Sequence, residues 1–94
     1  MRPVLRWDLE KARSNLRKHG VTFEEAASVF RDVLSVTISD RLHSIEESRF
    51  VTVGRSGRDR TVVVVHSEIG ETIRIISARL ATARERREYE EGTL

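Results

Sequence analysis

Four runs rich in β-branched residues fill most of the chain between residues 34 and 79 and constrain its fold more than any other feature. They are residues 34–39, 49–55, 60–67 and 72–79. Turn-forming residues, Ser-Gly-Arg-Asp at 56–59 and Ile-Gly-Glu at 69–71, separate the last three runs. Connections this short join antiparallel neighbours, since a parallel pair needs a crossover of about a dozen residues or more. The pattern therefore predicts a four-stranded antiparallel sheet, with a longer polar loop after its first strand.

Helix signals lie on both sides of these runs. Asp8 is a good N-cap for a first helix that Gly20 ends. The spacing of a capping box occurs at Thr22 with Glu25 and again at Thr82 with Glu85, and Gly92 ends the last helix. We expect an α+β fold: two N-terminal helices, a four-stranded antiparallel sheet and one C-terminal helix. Residues 4–7 are a further candidate for a short strand.

Composition limits the classes of protein that this chain can represent. At 94 residues it forms one domain, 1–94, with a single modest core. It has no cysteine, which excludes disulfides and thiolate metal sites. The longest apolar run, residues 62–65, is far too short to span a membrane, and the N-terminus does not resemble a signal peptide. We therefore expect a cytoplasmic protein with no membrane association.

Arg74 is placed unusually, between Ile73 and Ile75 in a predicted strand. A guanidinium there needs an acid, a carbonyl or an external anion, because it does not lose its charge. Of the 17 basic residues only Lys11 and Lys18 are lysines, so most of the positive charge is of the kind that binds phosphate in a bidentate manner. An internal Arg–Glu pair is the alternative explanation, and the sequence leaves both open.

Strand alternation suggests which polar side chains share a surface. Along residues 72–79, strict alternation places Arg74 on one face and both Ser77 and Arg79 on the other. Helices can cover only part of so small a sheet, so one face or end stays open. Polar residues near strand ends are the candidates to line the open surface: Arg49, His66, Ser77 and Arg79.

Three segments between Arg6 and Tyr89 contain a distinctive combination of residues. They are Trp7-Asp8-x-x-Lys11-x-x-x-Asn15-x-x-Lys18-His19-Gly20-Val21-x-Phe23-x-x-Ala26, then His43-Ser44 with Glu47 and Arg49, and finally Arg74-Ile-Ile-Ser-Ala-Arg79-x-Ala81-Thr82-x-x-Glu85-Arg86-x-x-Tyr89. This combination resembles the BrnT family of bacterial type II toxins. The resemblance implies a RelE/ParE-like fold, cleavage of RNA, and a BrnA-type antitoxin that neutralises the toxin and binds DNA for autoregulation. DNA would then be contacted only through the antitoxin complex.

A small ribonuclease needs a base, an acid and cations around one phosphodiester. The predicted catalytic residues are His66, Glu47, Arg79, Arg74 and His19. The predicted RNA- or phosphate-binding residues are Lys18, Arg49, Ser77, Arg86 and Tyr89. Trp7 and Phe50 are further aromatic groups able to stack on bases. The three histidines lie 24 and 23 positions apart without metal-ligand spacing, so we expect neither a metal nor another cofactor.

Structural explanations exist for the same residues. His19 can interact with the carbonyl end of a helix, His66 can be a buried strand-end residue, and Glu47 can form an ion pair with Arg49. Trp7 and Tyr89 can pack in the core. At the level of the whole protein, three functions remain open: a metal-independent endoribonuclease toxin, a ParE-like toxin that binds a protein such as a topoisomerase, and a non-enzymatic DNA-binding or co-repressor module.

Overall fold

A computed structural model describes residues 3–40 and 48–94, and it contains five strands and three α-helices within them. In chain order they are β1 (Val4–Arg6), α1 (Leu9–His19), α2 (Phe23–Ser28), β2 (Val36–Ser39), β3 (Arg49–Arg55), β4 (Thr61–Ile69), β5 (Thr72–Leu80) and α3 (Ala83–Glu91). A single 3₁₀ turn, Val29–Arg31, extends α2. The predicted α+β class with three helices is confirmed, but the arrangement differs in detail because the strand β1 precedes the first helix.

The sheet differs from the predicted four-stranded antiparallel one. Its strand order is β1-β5-β4-β3-β2, and β1 pairs in parallel with β5 while the other neighbours are antiparallel. The expectation of four antiparallel strands was therefore wrong: the sheet has five strands and is mixed. The strand β1 has only three residues, too few to show an alternating pattern, and its partner lies almost 70 residues away in the sequence.

Local capping signals predicted the helix ends well. The Asp8 carboxylate accepts hydrogen bonds from two amides of the first turn of α1, and Gly20 ends that helix with φ 69°. Thr82 and Glu85 form a reciprocal capping box at α3. At α2, Thr22 caps the Glu25 amide, but the Glu25 side chain does not return the bond. It is buried and instead accepts hydrogen bonds from Arg60 and Ser56.

The core lies between one face of the sheet and the helices α1 and α2. Its fully buried members are Val21, Phe23, Ala26, Val29, Val62, Val64, Ile75 and Ala78. The buried Asn15 side chain connects α1 to β5: its amide nitrogen donates to the carbonyls of Val21 and Ala78, and its oxygen accepts from the Ala78 amide. This residue therefore satisfies backbone groups of two elements and fixes α1 on the sheet.

A bulge in β5 decides which side chains face away from the helices. Ser77 pairs with Val65 and Ile75 pairs with His66, so Ile76 is an extra residue without a partner in β4. The extra residue reverses the alternation of the strand. As a result Arg74, Ser77 and Arg79 lie on one face, whereas strict alternation had separated Arg74 from the other two.

Neither segment of the described chain, 3–40 or 48–94, contains a helix of the length and apolarity that crossing a membrane requires.

Candidate RNA-binding site

The face of the sheet opposite α1 and α2 carries a row of polar side chains. Paired residues on neighbouring strands point to the same face, and the register pairs Arg6 with Arg74, Arg74 with Ser67, and Ser67 with Arg49. These four residues cross β1, β5, β4 and β3 in one line, and we call them the arginine row. Arg6 and Arg74 are exposed, Arg49 is half-buried, and Ser67 is buried between them. Within the described residues, Arg6 and Arg74 form no ion pair.

A pocket opens at the β1 end of the arginine row. Its volume is about 410 Å³, and its walls are Arg6, Trp7, Asp8, Ser67, Ile69, Thr72 and Arg74. The pKa of Asp8 is lowered, first by the hydrogen bond from the Lys11 amide and also by the positive charges of Lys11 and Arg74. The pocket therefore has two guanidinium groups on one wall and an ionised carboxylate on another.

Arg79 lies farther along the same face, beyond Ser77, and has a partner. Its two terminal nitrogens donate to the two carboxylate oxygens of Glu85 at 2.7 and 2.9 Å. The bidentate pair with Arg79 lowers the pKa of Glu85 to about 2, and the Thr82 amide contributes to the same shift. Arg79 thus connects β5 to the capping box of α3. Its predicted role as a clamp on RNA stays a prediction, since it requires the guanidinium to leave Glu85 or to bind with its remaining surface.

His66 does not line the open face, contrary to our expectation. Its ring is fully buried on the helix side of the sheet, between Phe30 at 4.9 Å and Phe50 at 5.9 Å. The Thr52 hydroxyl lies 2.7 Å from Nε2. Nδ1 forms no hydrogen bond within the described parts of the chain, but a carboxylate oxygen of Glu68 lies 3.5 Å from it. Burial lowers the pKa of His66 to about 4, so the ring is neutral at physiological pH. In this conformation His66 cannot contact a phosphodiester.

The remaining predicted residues lie apart from the arginine row. Lys18 and His19 are exposed in the last turn of α1, which packs on the opposite face of the sheet. Arg86 borders a shallow depression beside the β3–β4 turn. The Tyr89 hydroxyl donates to the Asp32 carboxylate, and burial together with that carboxylate raises the pKa of Tyr89. Glu47, the other predicted catalytic residue, and His43 lie outside the described residues.

The structure thus brings together three of the predicted residues, Arg74, Arg49 and Ser77, with Arg79 farther along the same face. Sequence analysis missed two members of the site, Arg6 and Ser67. Arg6 joins the row only because β1 pairs in parallel with β5, and Ser67 faces Arg74 only because of the bulge. Both facts depend on contacts between distant residues, so no local pattern could have revealed them.

Within residues 3–40 and 48–94, no three His, Asp or Glu side chains cluster closely enough to hold a metal ion.

Comparisons with known proteins agree with this architecture. Residues 7–85 match the family model described as the ribonuclease toxin, BrnT, of a type II toxin–antitoxin system. No curated protein matches the chain significantly. The crystal structure of the Brucella abortus ribonuclease toxin BrnT, at 1.1 Å resolution, is similar with a TM-score of 0.64 and 19% sequence identity, over 84% of this chain and 97% of that one. At this identity the structural match shows a shared fold. Because the family model spans most of the sequence, the chain belongs to the BrnT family of ribonuclease toxins from type II toxin–antitoxin systems.

Proposed function

We propose that this ribonuclease toxin cuts single-stranded RNA on the open face of its sheet without a metal ion, and that the arginine row binds the phosphates around the cleaved bond. The observation that supports the proposal is the register that aligns Arg6, Arg74 and Arg49 on one face. Neighbouring strands are about 4.8 Å apart, so the row extends over roughly 14 Å. That length is enough to contact more than one phosphate of an RNA strand.

The chemistry of the row fits the charge that develops during RNA cleavage. When a 2′-hydroxyl attacks the neighbouring phosphorus, negative charge builds on the phosphoryl oxygens. Arginine stays protonated throughout and offers paired donors to such oxygens. Arg74, at the centre of the row and without an acidic partner among the described residues, is the best-placed donor. Arg49 and the Ser67 hydroxyl lie beside it.

For proton transfer, Glu47 stays our prediction. Glu47 lies in the segment between Asp40 and Ser48. These two flanking residues are both at the Arg49 end of the row. The Asp40 amide donates to the Arg49 carbonyl at 2.9 Å, and the Ser48 carbonyl accepts from the Glu68 amide at 3.2 Å. A carboxylate can accept the proton of the attacking hydroxyl without help from a metal.

Membership of a type II system implies an antitoxin as a partner. We propose that this partner is of the BrnA type, that it covers the arginine row with acidic side chains, and that the toxin contacts DNA only within the complex. A guanidinium row is a suitable target for such neutralisation because its charge does not change with pH. The site of action is then the cytoplasm, where RNA and antitoxin are both present.

Cleavage of a single-stranded RNA in excess EDTA tests the proposal directly. We expect the purified chain to cut the RNA in chelator and Arg74→Ala to reduce the rate by roughly 10² to 10³. Arg87→Ala is the matched control, since Arg87 is an exposed arginine on α3 and is not part of the row. Both variants should keep the thermal transition of the wild type.

Two results would contradict the proposal. One is cleavage that stops in EDTA and returns with added metal. The other is an Arg74→Ala variant as active as Arg87→Ala. Absence of any RNA cleavage together with inhibition of a topoisomerase would favour the protein-binding alternative.

A further inference from the structure

The pocket at the end of the arginine row contains an acidic residue as well as two arginines, whereas a site for phosphate alone requires only positive charge and hydrogen-bond donors. Arg6 and Arg74 form its cationic wall, and Asp8 adds an anionic wall. Trp7 and Ile69 also line the pocket and contribute apolar surface. We name this the Trp7 pocket. A ligand that fills it meets two positive charges, apolar surface and a carboxylate that accepts hydrogen bonds.

We propose that the Trp7 pocket binds one nucleotide of the RNA substrate and prefers guanine, with the phosphate on Arg6 and Arg74, the base against Trp7, and its N–H donors on Asp8. The inference rests on the proposed function of the arginine row. The volume of about 410 Å³ suits one nucleotide and not a longer segment. An acidic peptide or a polyphosphate would meet repulsion from Asp8.

The Asp8 carboxylate still has an acceptor available. Its Oδ1 caps α1 by accepting from the Glu10 and Lys11 amides at 2.9 and 3.0 Å. Its Oδ2 accepts no hydrogen bond from any residue that the structure describes. An ionised carboxylate only accepts hydrogen bonds, and its lowered pKa keeps Asp8 ionised at neutral pH.

Guanine matches this single acceptor best among the four bases. Its N1–H and its amino group are adjacent donors that can converge on one carboxylate oxygen. At the same edge uracil offers a single N–H, and cytosine and adenine each place one amino donor beside a ring-nitrogen acceptor, so none of them presents two adjacent donors to the carboxylate. Trp7 is half-buried and packs against the core, and the part of it that lines the pocket adds an aromatic surface of the kind on which unpaired bases stack. It is held in place by an edge-to-face contact with Phe23, at 6.2 Å between ring centres.

The chain provides its own reporter for this pocket, because Trp7 is its one tryptophan. In a ¹H–¹⁵N NMR titration, its indole N–H gives a single resolved cross-peak. We expect 5′-GMP to shift that peak with saturation, and UMP to bind roughly three- to ten-fold more weakly, as the loss of a hydrogen bond to an exposed charged group implies. Guanosine and inorganic phosphate, each lacking half of the ligand, should both bind more weakly than GMP.

Variants separate the two ends of the nucleotide. Arg6→Ala should weaken GMP and UMP alike, whereas Asp8→Asn should remove the preference for GMP while keeping the helix cap, since Asn caps as well as Asp. Arg87→Ala should change neither affinity. The proposal is overturned if inorganic phosphate shifts the indole peak as strongly as GMP, if guanosine binds as well as GMP, or if no nucleotide shifts it.

These outcomes are independent of the cleavage assay. Mononucleotides contain no bond for the enzyme to cut, so binding is measured without catalysis. If RNA cleavage depends on Arg74 but GMP does not bind, the nucleotide-pocket proposal is wrong while the proposed function stands. Tight, Asp8-dependent GMP binding without RNA cleavage would instead contradict the proposed function.

Discussion

His66 shows most clearly how burial changes what a residue can do. Its sequence position, after four valines, suggested a strand-end histidine available for catalysis. In the fold it is the end of a hydrogen-bonded chain that runs from Thr37 to Thr52 to His66, with successive distances of 2.7 Å. The chain ties β2, β3 and β4 together on the helix side of the sheet. A protonated imidazole there would have to be taken out of water next to two phenylalanines.

The buried ring makes a definite prediction about pH. The ordinary pKa of histidine, 6.5, applies in the unfolded chain, and burial lowers the folded value to about 4. Between these pH values His66 is protonated in the unfolded chain but neutral in the folded protein. Stability therefore falls as the pH drops from 6.5 towards 4 and levels off below that pH. The expected loss is at most about 3 kcal/mol in the free energy of unfolding, because the Glu68 carboxylate, 3.5 Å from Nδ1, favours the protonated ring.

Urea denaturation at a series of pH values measures this loss. His66→Gln can keep a hydrogen bond to Thr52 but does not titrate, so its stability should fall much less than that of the wild type between pH 6.5 and about 5, above the range in which Glu85 titrates. His19→Gln, at an exposed position, should retain the wild-type slope. An unchanged slope in His66→Gln would show that other groups cause the acid sensitivity.

At the scale of elements, α3 is unusual because polar contacts hold it in place. None of its residues is buried. Its contacts with the rest of the molecule include the Arg79–Glu85 pair, the Tyr89–Asp32 hydrogen bond and an ion pair between Arg55 and Glu90 at 3.4 Å. Such contacts contribute less than apolar burial and weaken with salt or acid. The C-terminal helix is thus attached more weakly than α1 and α2.

Arg79→Ala tests the structural role of that residue. Since Arg79 is partly exposed, we expect a loss of only about 0.5–1 kcal/mol in the free energy of unfolding. The lowered pKa of Glu85 means that the pair contributes above pH 4.5 and that its contribution is lost as the pH falls towards about 2. Arg84→Ala, which removes an exposed pair with Glu88, is the control and should cost about 0.3–0.5 kcal/mol.

Equal, negligible effects of Arg79→Ala and Arg84→Ala on unfolding would argue against a structural role for the Arg79–Glu85 pair. A simultaneous loss of RNA cleavage in Arg79→Ala alone, with stability intact, would support the predicted clamp.

Features that depend on contacts between residues close in the sequence were predicted well, and features that depend on contacts between distant residues were not. Asp8, Gly20, Thr82 and Gly92 act on amides or carbonyls a few residues away, so the helix ends were predictable. The β1–β5 pairing and the bulge at Ile76 depend on partners far along the chain, and both were missed. For the same reason Arg74 was recognised as a functional candidate, while its neighbour Arg6 was not.

At the scale of the whole molecule, the net charge of only +2 hides a local concentration of positive charge. Acidic residues elsewhere balance the total, and three arginines line the open face in the arginine row. RNA binding should therefore depend on the row and not on a general attraction between protein and nucleic acid.

The salt dependence of RNA binding tests this view. Neutralising about three phosphates of a single strand predicts a slope of roughly −2 for log K against log salt. Arg74→Ala should reduce the magnitude of that slope by about 0.7, and Arg87→Ala should leave it unchanged. The slopes can be measured with a short non-cleavable RNA by fluorescence anisotropy. Equal slopes in the two variants would mean that binding is not localised on the row.

The unpaired residue at the bulge also bears on how such a protein can vary. A substitution at Ile76 changes one half-buried side chain, but deletion of that single residue would restore strict alternation in β5. Arg74 would then point into the helix-covered core, or Ser77 and Arg79 would. The strand β5 should therefore tolerate substitutions more readily than insertions or deletions. Homologous toxins that keep this site should keep the same number of residues between Arg74 and Arg79.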